Sequence, residues 1–193
     1  MTDRTERIHS VLLGGAVGDS LGLPAEGLSR RRQQKWWSGE LQHRFLLGRG
    51  MISDDTEHAV MTAQALLESG GDVERFRRSL AWKLRWWIVA LPAGVGLATG
   101  RACFRLWLGI PPERSGVMSG GNGPAMRSAI LGAVFAGEPE KRREFVRAST
   151  RMTHMDPKAE TAALAVAEAA AWIVRGDEPV DGFIGRLSRR LSD

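Results

Sequence analysis

A chain of 193 residues with 43% hydrophobic and 25% charged side chains has the length for one substantial core and the composition of a soluble globular domain. The formal charge of +5 is spread over short separate clusters, Arg30-Arg31-Arg32, Lys141-Arg142-Arg143 and Arg189-Arg190, with no zinc-finger, helix-turn-helix or aromatic–basic signature, so nucleic acid is not the expected partner. No apolar run is long enough to span a bilayer, residues 1–10 are too polar for a signal peptide, and the single cysteine, Cys103, excludes an internal disulfide framework; a cytoplasmic protein without a membrane partner is expected.

The spacing of Ile8, Val11 and Leu12 predicts a first helix from about Thr5 to Leu21, stopped by Pro24 ahead of Glu26. Gly14, Gly18 and Gly22 share one face of it, a stripe that suggests close approach by another backbone. Residues 27–52 read as an irregular basic loop. A helix with Ala59, Val60, Ala63, Leu66 and Leu67 on its pattern follows from Thr56 and stops at Ser69-Gly70-Gly71. Asp72 is placed to cap the next, which carries Phe76, Leu80, Leu84 and Trp87 at helical intervals and whose tryptophans, Trp82, Trp86 and Trp87, read as packing residues. Beyond Pro92, a short helix runs through Cys103 to Leu108. Pro124 then opens an apolar stripe of Met126, Ala129, Ile130, Ala133 and Val134. Helices are expected from Glu138 to Arg151 and, capped by Asp156 with Pro157 at its first position, along the alanine-rich run to Ile173. A last amphipathic segment carries Phe183, Ile184 and Leu187. With no alternating β pattern of any length, the fold class is all-α with about eight helices.

Two stretches ask for chemistry. Ser53-Asp54-Asp55-Thr56-Glu57 places adjacent carboxylates together, and two readings stay open. Asp54 and Glu57 have the spacing of a capping box at a helix N-terminus, while the same oxygens suit a hard metal ion. Ser119-Gly120-Gly121-Asn122-Gly123-Pro124 opens onto a helix and offers N–H groups to an anion, though an ordinary loop would look the same and no Walker lysine follows.

Four segments, in order, resemble the ADP-ribosylglycohydrolase family, which includes dinitrogenase-reductase-activating glycohydrolase. They are Gly15-Ala16-Val17-Gly18-Asp19-Ser20-Leu21-Gly22-Leu23-Pro24-Ala25-Glu26, Ser53-Asp54-Asp55-Thr56, Gly121-Asn122-Gly123-Pro124-Ala125-Met126-Arg127 and Thr153-His154-Met155-Asp156-Pro157-Lys158-Ala159. The resemblance implies a compact multi-helix orthogonal bundle spanning 1–193. It also implies a site with two divalent ions, Mg²⁺ or Mn²⁺, that cleaves the bond between ADP-ribose and a modified side chain, often arginine, or a related ADP-ribosyl compound. Carried over to this chain, Ser53, Asp54 and Asp55 are the expected metal-side residues, together with Glu26. Glu26 and Asp55 are the expected catalytic carboxylates, and Gly120, Gly121, Asn122, Gly123 and His154 the substrate-binding residues.

The chain departs from the family in one respect. The second acidic motif of the family, Asp-x-Asp-Thr, has no counterpart: after Pro157 the aspartates are Asp177, Asp181 and Asp193. A domain incomplete at its C-terminus is expected, as a truncation, a split protein completed by another chain, or a member with a rebuilt site. Exposed apolar surface favouring an oligomer would follow. Beside the active hydrolase stand two other readings, an ADP-ribose-binding protein without catalysis and a helical interaction domain whose acidic motif is only a cap.

Overall fold

Helix formers recur wherever apolar residues fall three and four apart. A computed structural model of the chain, describing residues 4–36, 42–45, 47–92, 94–176 and 185, is accordingly all-α. Its helices are α1 (Arg4–Gly22), α2 (Arg30–Trp36), α3 (Asp54–Ser69), α4 (Val73–Trp87), α5 (Leu97–Trp107), α6 (Gly123–Met126), α7 (Ala129–Val134), α8 (Pro139–Arg151) and α9 (Pro157–Arg175), with 3₁₀ turns at Leu23–Ala25 and Ile88–Ala90. Among the described residues there is no sheet. One extended contact, Val117 beside His154, ties the segment before the glycine loop to the segment before α9.

Six of the helices share the main core, and a smaller cluster of Ala133, Ala136, Ala171 and Val174 lies beside it. Leu66 of α3, Phe76, Leu80 and Leu84 of α4, Leu106 of α5, Ile130 and Leu131 of α7, Phe145 and Val146 of α8 and Ala163 and Ala167 of α9 form a single cluster. Each large side chain so buried stabilises the fold by about 1.5–3 kcal/mol. Phe145 is its aromatic centre, 5.0 Å from Phe76 and 4.6 Å from Phe135 between ring centroids. The fully buried Arg142 of α8 joins three elements: it bonds Glu168 of α9 at 2.6 and 2.8 Å and the Phe135 carbonyl at 2.6 Å. The polar helix starts behave as their sequences ask. Asp72 accepts from Arg75 N at 2.7 Å, and Asp156 accepts from Lys158 N at 2.9 Å with Pro157 next.

Several expectations give way. The basic loop contains α2, because Arg30-Arg31-Arg32-Gln33-Gln34-Lys35 are good helix formers and Gln33 Nε2 ties the helix back to the carbonyls of Ala25 and Leu28 at 3.2 and 3.1 Å. The helix after it begins at Asp54, not Thr56, and its N-cap is Ser53, whose Oγ accepts from Asp55 N. Asp54 is therefore the first helical residue and not the cap. Glu57 does not reach back to close a box; it accepts from Trp87 Nε1 at 2.6 Å.

The glycine stripe of α1 is not packed against another backbone among the described residues: a Cβ at Gly14, Gly18 or Gly22 would meet none of their atoms within 4 Å, and Gly18 and Gly22 line a cavity instead. Trp82 and Trp86 are 57% and 48% exposed, with Trp86 edge-on to both Trp82 and Trp107 on the surface, so of the three tryptophans only Trp87 turns toward the interior. The stripe from Met126 to Val134 is two helices, broken at Arg127 and Ser128, because both side chains are buried by polar partners instead of following the helix face. Gly123 takes the first helical position there and Pro124 the second. The segment through Phe183, Ile184 and Leu187 lies outside the described residues.

Candidate functional site

The site is built on the N-terminus of α3, and an aspartate from another helix holds that terminus in place. Asp19, in the last turns of α1, accepts from Ser53 N at 2.8 Å, Ser53 Oγ at 2.7 Å, Thr56 N at 3.2 Å and Thr56 Oγ1 at 2.5 Å. It thereby satisfies two of the donors that every helix start leaves open. Burial pushes its carboxyl up, but these four bonds outweigh it and hold Asp19 below the usual carboxylate range. With Ser53 and Asp19 doing the capping, Asp54 and Asp55 are free for another role.

Asp54 is 7% exposed and Asp55 half-buried, and neither has a cation beside it among the described residues. Burial first, then the neighbouring carboxyls of Asp55 and Glu26, push Asp54 up to about 7; burial, Asp19 and Glu26 raise Asp55. The backbone closes over Asp54 at Gly94, whose φ is +84° and where a Cβ would stand 2.6 Å from Asp54 Oδ1. Glycine is required there on both counts.

Two of the cavities that meet these carboxylates share lining residues. One, of about 230 Å³, is lined by Glu26, Asp54, Asp55, the Gly121-Asn122-Gly123 loop and His154. The other, of about 360 Å³, is lined by Asp19, Glu26, Ser53, Asp55 and Asn122. Glu26, Asp55 and Asn122 thus belong to both. His154 is buried (3% exposed) and forms a wall against the loop: a Cβ at Gly121 would lie 3.1 Å from its Nε2, and one at Gly123 2.9 Å from its Cε1. The glycines at 121 and 123 are what let the imidazole and the loop share the space.

Of the residues the sequence singles out, Glu26, Asp54, Asp55, Gly121, Asn122, Gly123 and His154 come together around one cavity. Ser53 lines its neighbour, with Oγ already engaged by Asp19 and Asp55 N. Gly120 does not join them and sits against Asp156 and Lys158. The helix after the loop is a single turn of four residues, so its dipole adds little and anion binding would rest on loop N–H groups and on the buried Arg127 beneath. Sequence reasoning gave Asp19 and Arg127 no role of their own, although both stand in motifs it singled out, and it left out Gly94; the partners of all three are remote in sequence.

The donor set is hard oxygen, and Asp54, raised first by burial and then by three nearby carboxyls, is a group that a shared cation would relieve. Asp54 and Asp55, with Glu26, suit one side of such an ion. Among the described residues no three His, Cys, Asp or Glu side chains enclose one by themselves. The crowding sets a test. A carboxyl raised in the folded state binds its proton more tightly there, so its contribution is full at acid pH and is lost as pH rises from about 4 toward about 7. In EDTA, Asp54→Asn should therefore match wild type near pH 4 and exceed it by about 2 kcal/mol at pH 8 in urea unfolding. A pH-independent difference would contradict the raised proton affinity that burial and the neighbouring carboxyls give Asp54.

Comparison with known proteins places the architecture. The family model for ADP-ribosylglycohydrolase matches residues 1–193. An uncharacterized protein of Archaeoglobus fulgidus is 35% identical over 173 residues, covering 86% of this chain and 55% of its own length. The uncharacterized protein YegU of Escherichia coli is 31% identical over 193 residues, covering 90% and 56%. A solved structure described as an ADP-ribosylglycohydrolase-related protein complex superposes with a TM-score of 0.71 at 29% identity, covering 95% of this chain and 61% of that one. The fold and the site together define an all-helical protein with an acidic cleft. The chain belongs to the ADP-ribosylglycohydrolase family and spans a little over half the length of the curated relatives it matches.

Proposed function

We propose that the chain carries the acidic cleft of a hydrolase that splits the glycosidic bond between ADP-ribose and a modified side chain, arginine first among the candidates, or a related ADP-ribosyl compound. The observation that carries this reading is the convergence of Glu26, Asp54 and Asp55 with the Gly121-Asn122-Gly123 loop and His154 on one cavity. Asp54 and Asp55 would hold Mg²⁺ or Mn²⁺, with further ligands from water, substrate or another segment. Such an ion supplies neutralisation of the acidic cluster and polarisation of substrate oxygens.

The remaining chemistry falls to the chain. The loop and His154 hold the oxygens of the ADP-ribosyl group and so fix the anomeric carbon over the carboxylates. Glu26, exposed at the lip of both cavities, accepts a proton from the attacking water. The water oxygen bonds to the anomeric carbon as the carbon–nitrogen bond breaks, and the leaving guanidine keeps the electron pair and takes up the proton that Glu26 received, directly or through solvent. Asp55 faces the positive charge that develops on the sugar.

The test is release of ADP-ribose from ADP-ribosylarginine by the purified chain with Mg²⁺ or Mn²⁺, abolished by EDTA. Absence of turnover with either metal, in protein shown to be folded, would overturn the reading. A second reading is an ADP-ribose-binding protein without catalysis, favoured by the lack of an enclosed three-ligand group among the described residues. In that case calorimetry shows ADP-ribose binding that persists in EDTA and weakens in Asn122→Ala.

A further inference from the structure

Beneath the glycine loop the fold buries a cation among neutral partners. Arg127 is 0% exposed, and its guanidinium donates to Ser149 Oγ at 2.9 Å, Ser149 O at 2.8 Å, Thr153 Oγ1 at 2.7 Å and His58 Nδ1 at 3.0 Å. Among the described residues no carboxylate joins it. A buried charge is expensive unless it is fully hydrogen-bonded, so an arrangement of this kind fixes the orientation of everything around it.

A guanidinium can only donate, so Thr153 Oγ1 accepts from Arg127, and the hydroxyl still has a proton of its own to place. Thr153 is itself 0% exposed, and the other group that the described residues bring to this oxygen is His154 Nδ1, at 2.9 Å. If Nδ1 carried a proton, the threonine proton would be orphaned in the core, where an unpaired donor is costly. The Nδ1 lone pair therefore receives it. Burial first, and then Arg127, push His154 down to about 4, so at neutral pH the ring is uncharged and holds one proton. That proton belongs on Nε2, the atom against Gly121 in the wall of the 230 Å³ cavity.

We infer that Arg127, acting through Thr153, locks His154 in the Nε2–H tautomer, so that the imidazole presents a fixed hydrogen-bond donor to an oxygen of the bound ligand. His154 so held neither ligates a metal through Nε2 nor takes up a proton there. It divides the cavity into a donor wall, backed by the Arg127 charge, and an acceptor wall of Glu26, Asp54 and Asp55. Arg127 and Thr153 are positioning residues. That the oxygen is a phosphoryl or ribose oxygen rests on the ADP-ribosyl reading above, whereas the tautomer is a property of the free protein.

The experiment is a long-range ¹H–¹⁵N correlation spectrum of the four histidines in labelled full-length chain at pH 7, with His154 assigned through His154→Gln. The expected result is a protonated Nε2 and an unprotonated Nδ1 for His154. Thr153→Val should produce mixed tautomers and bind ADP-ribose roughly tenfold more weakly, and Thr153→Ser should restore both. An Nδ1–H signal for His154 in the wild type overturns the inference, and so does an unchanged tautomer in Thr153→Val. Should Thr153→Val not fold, the wild-type spectrum decides alone. Because that spectrum needs neither ligand nor turnover, it can fail while the proposed function stands, and the reverse.

Discussion

Gly132→Val should yield a protein that does not reach the folded state, and Gly132→Ala one that loses at least about 3 kcal/mol. A Cβ at Gly132 would fall 2.0 Å from the carbonyl oxygen of Ala167 and 2.8 Å from its carbonyl carbon and Cα. These are backbone atoms in the middle of α9, and no rotamer change moves them. The close approach is prepared on both sides: Ala159, Ala163, Ala167, Ala170 and Ala171 of α9 are buried small residues, and Gly132 is the matching gap in α7. Side chain must become void or helices must separate, and separation opens the core around Ile130 and Leu131. Against a typical stability of about 5–15 kcal/mol such a loss is severe. Urea unfolding followed by circular dichroism measures it. Gly14→Ala serves as the control, since its Cβ enters open space in α1 and should stabilise by up to about 1 kcal/mol. A Gly132→Ala protein as stable as wild type would show that α7 and α9 are not in this contact.

Asp55→Ala should lower hydrolysis on the order of 10²–10³-fold while leaving the thermal midpoint at or above that of wild type. The two halves of this expectation come from one geometry. The start of α3 is capped by Ser53 and by Asp19, so removing Asp55 takes no bond from the helix terminus beyond those its own backbone N–H keeps. It does take away one of the carboxyls that raise Asp54, and it opens the wall common to both cavities. A loss of stability of about 0.5–2 kcal/mol with no change in ligand response is what a capping residue would give. Activity assays and melting curves on the same preparation separate the two. Glu57→Gln supplies the comparison, because that side chain is bonded to Trp87 and lines neither cavity.

The capping box shows how much of the site the sequence carried. Asp54 followed by Glu57 has the spacing of the box, and the spacing is a true feature of a helix start here. The donors of that terminus are nevertheless satisfied by a residue 34 and 37 positions away, Asp19, which approaches only because α1 packs on α3. A local rule cannot see such a partner. The glycine stripe fails for the related reason that spacing places residues on a face without saying what the face meets. Among the described residues a side chain at Gly14, Gly18 or Gly22 would meet nothing, while Gly132, inconspicuous in its apolar run, meets a backbone.

By itself the sequence determined the class of fold, since helical periodicity and terminal caps such as Asp72 and Asp156 are local and nothing tertiary overrode them. It also determined the family, through four short motifs in order, and most of the residues that surround the cavity. What those residues do to one another depends on how the helices pack. The tertiary structure buried Asp54 and brought Glu26 and Asp19 to it from the first motif, and it put a buried arginine behind His154 by way of Thr153. It also turned Trp82 and Trp86 outward. The physical reason is common to all three: proton affinity, tautomer and exposure are set by desolvation and by neighbours within a few ångströms, and those neighbours come from distant parts of the chain.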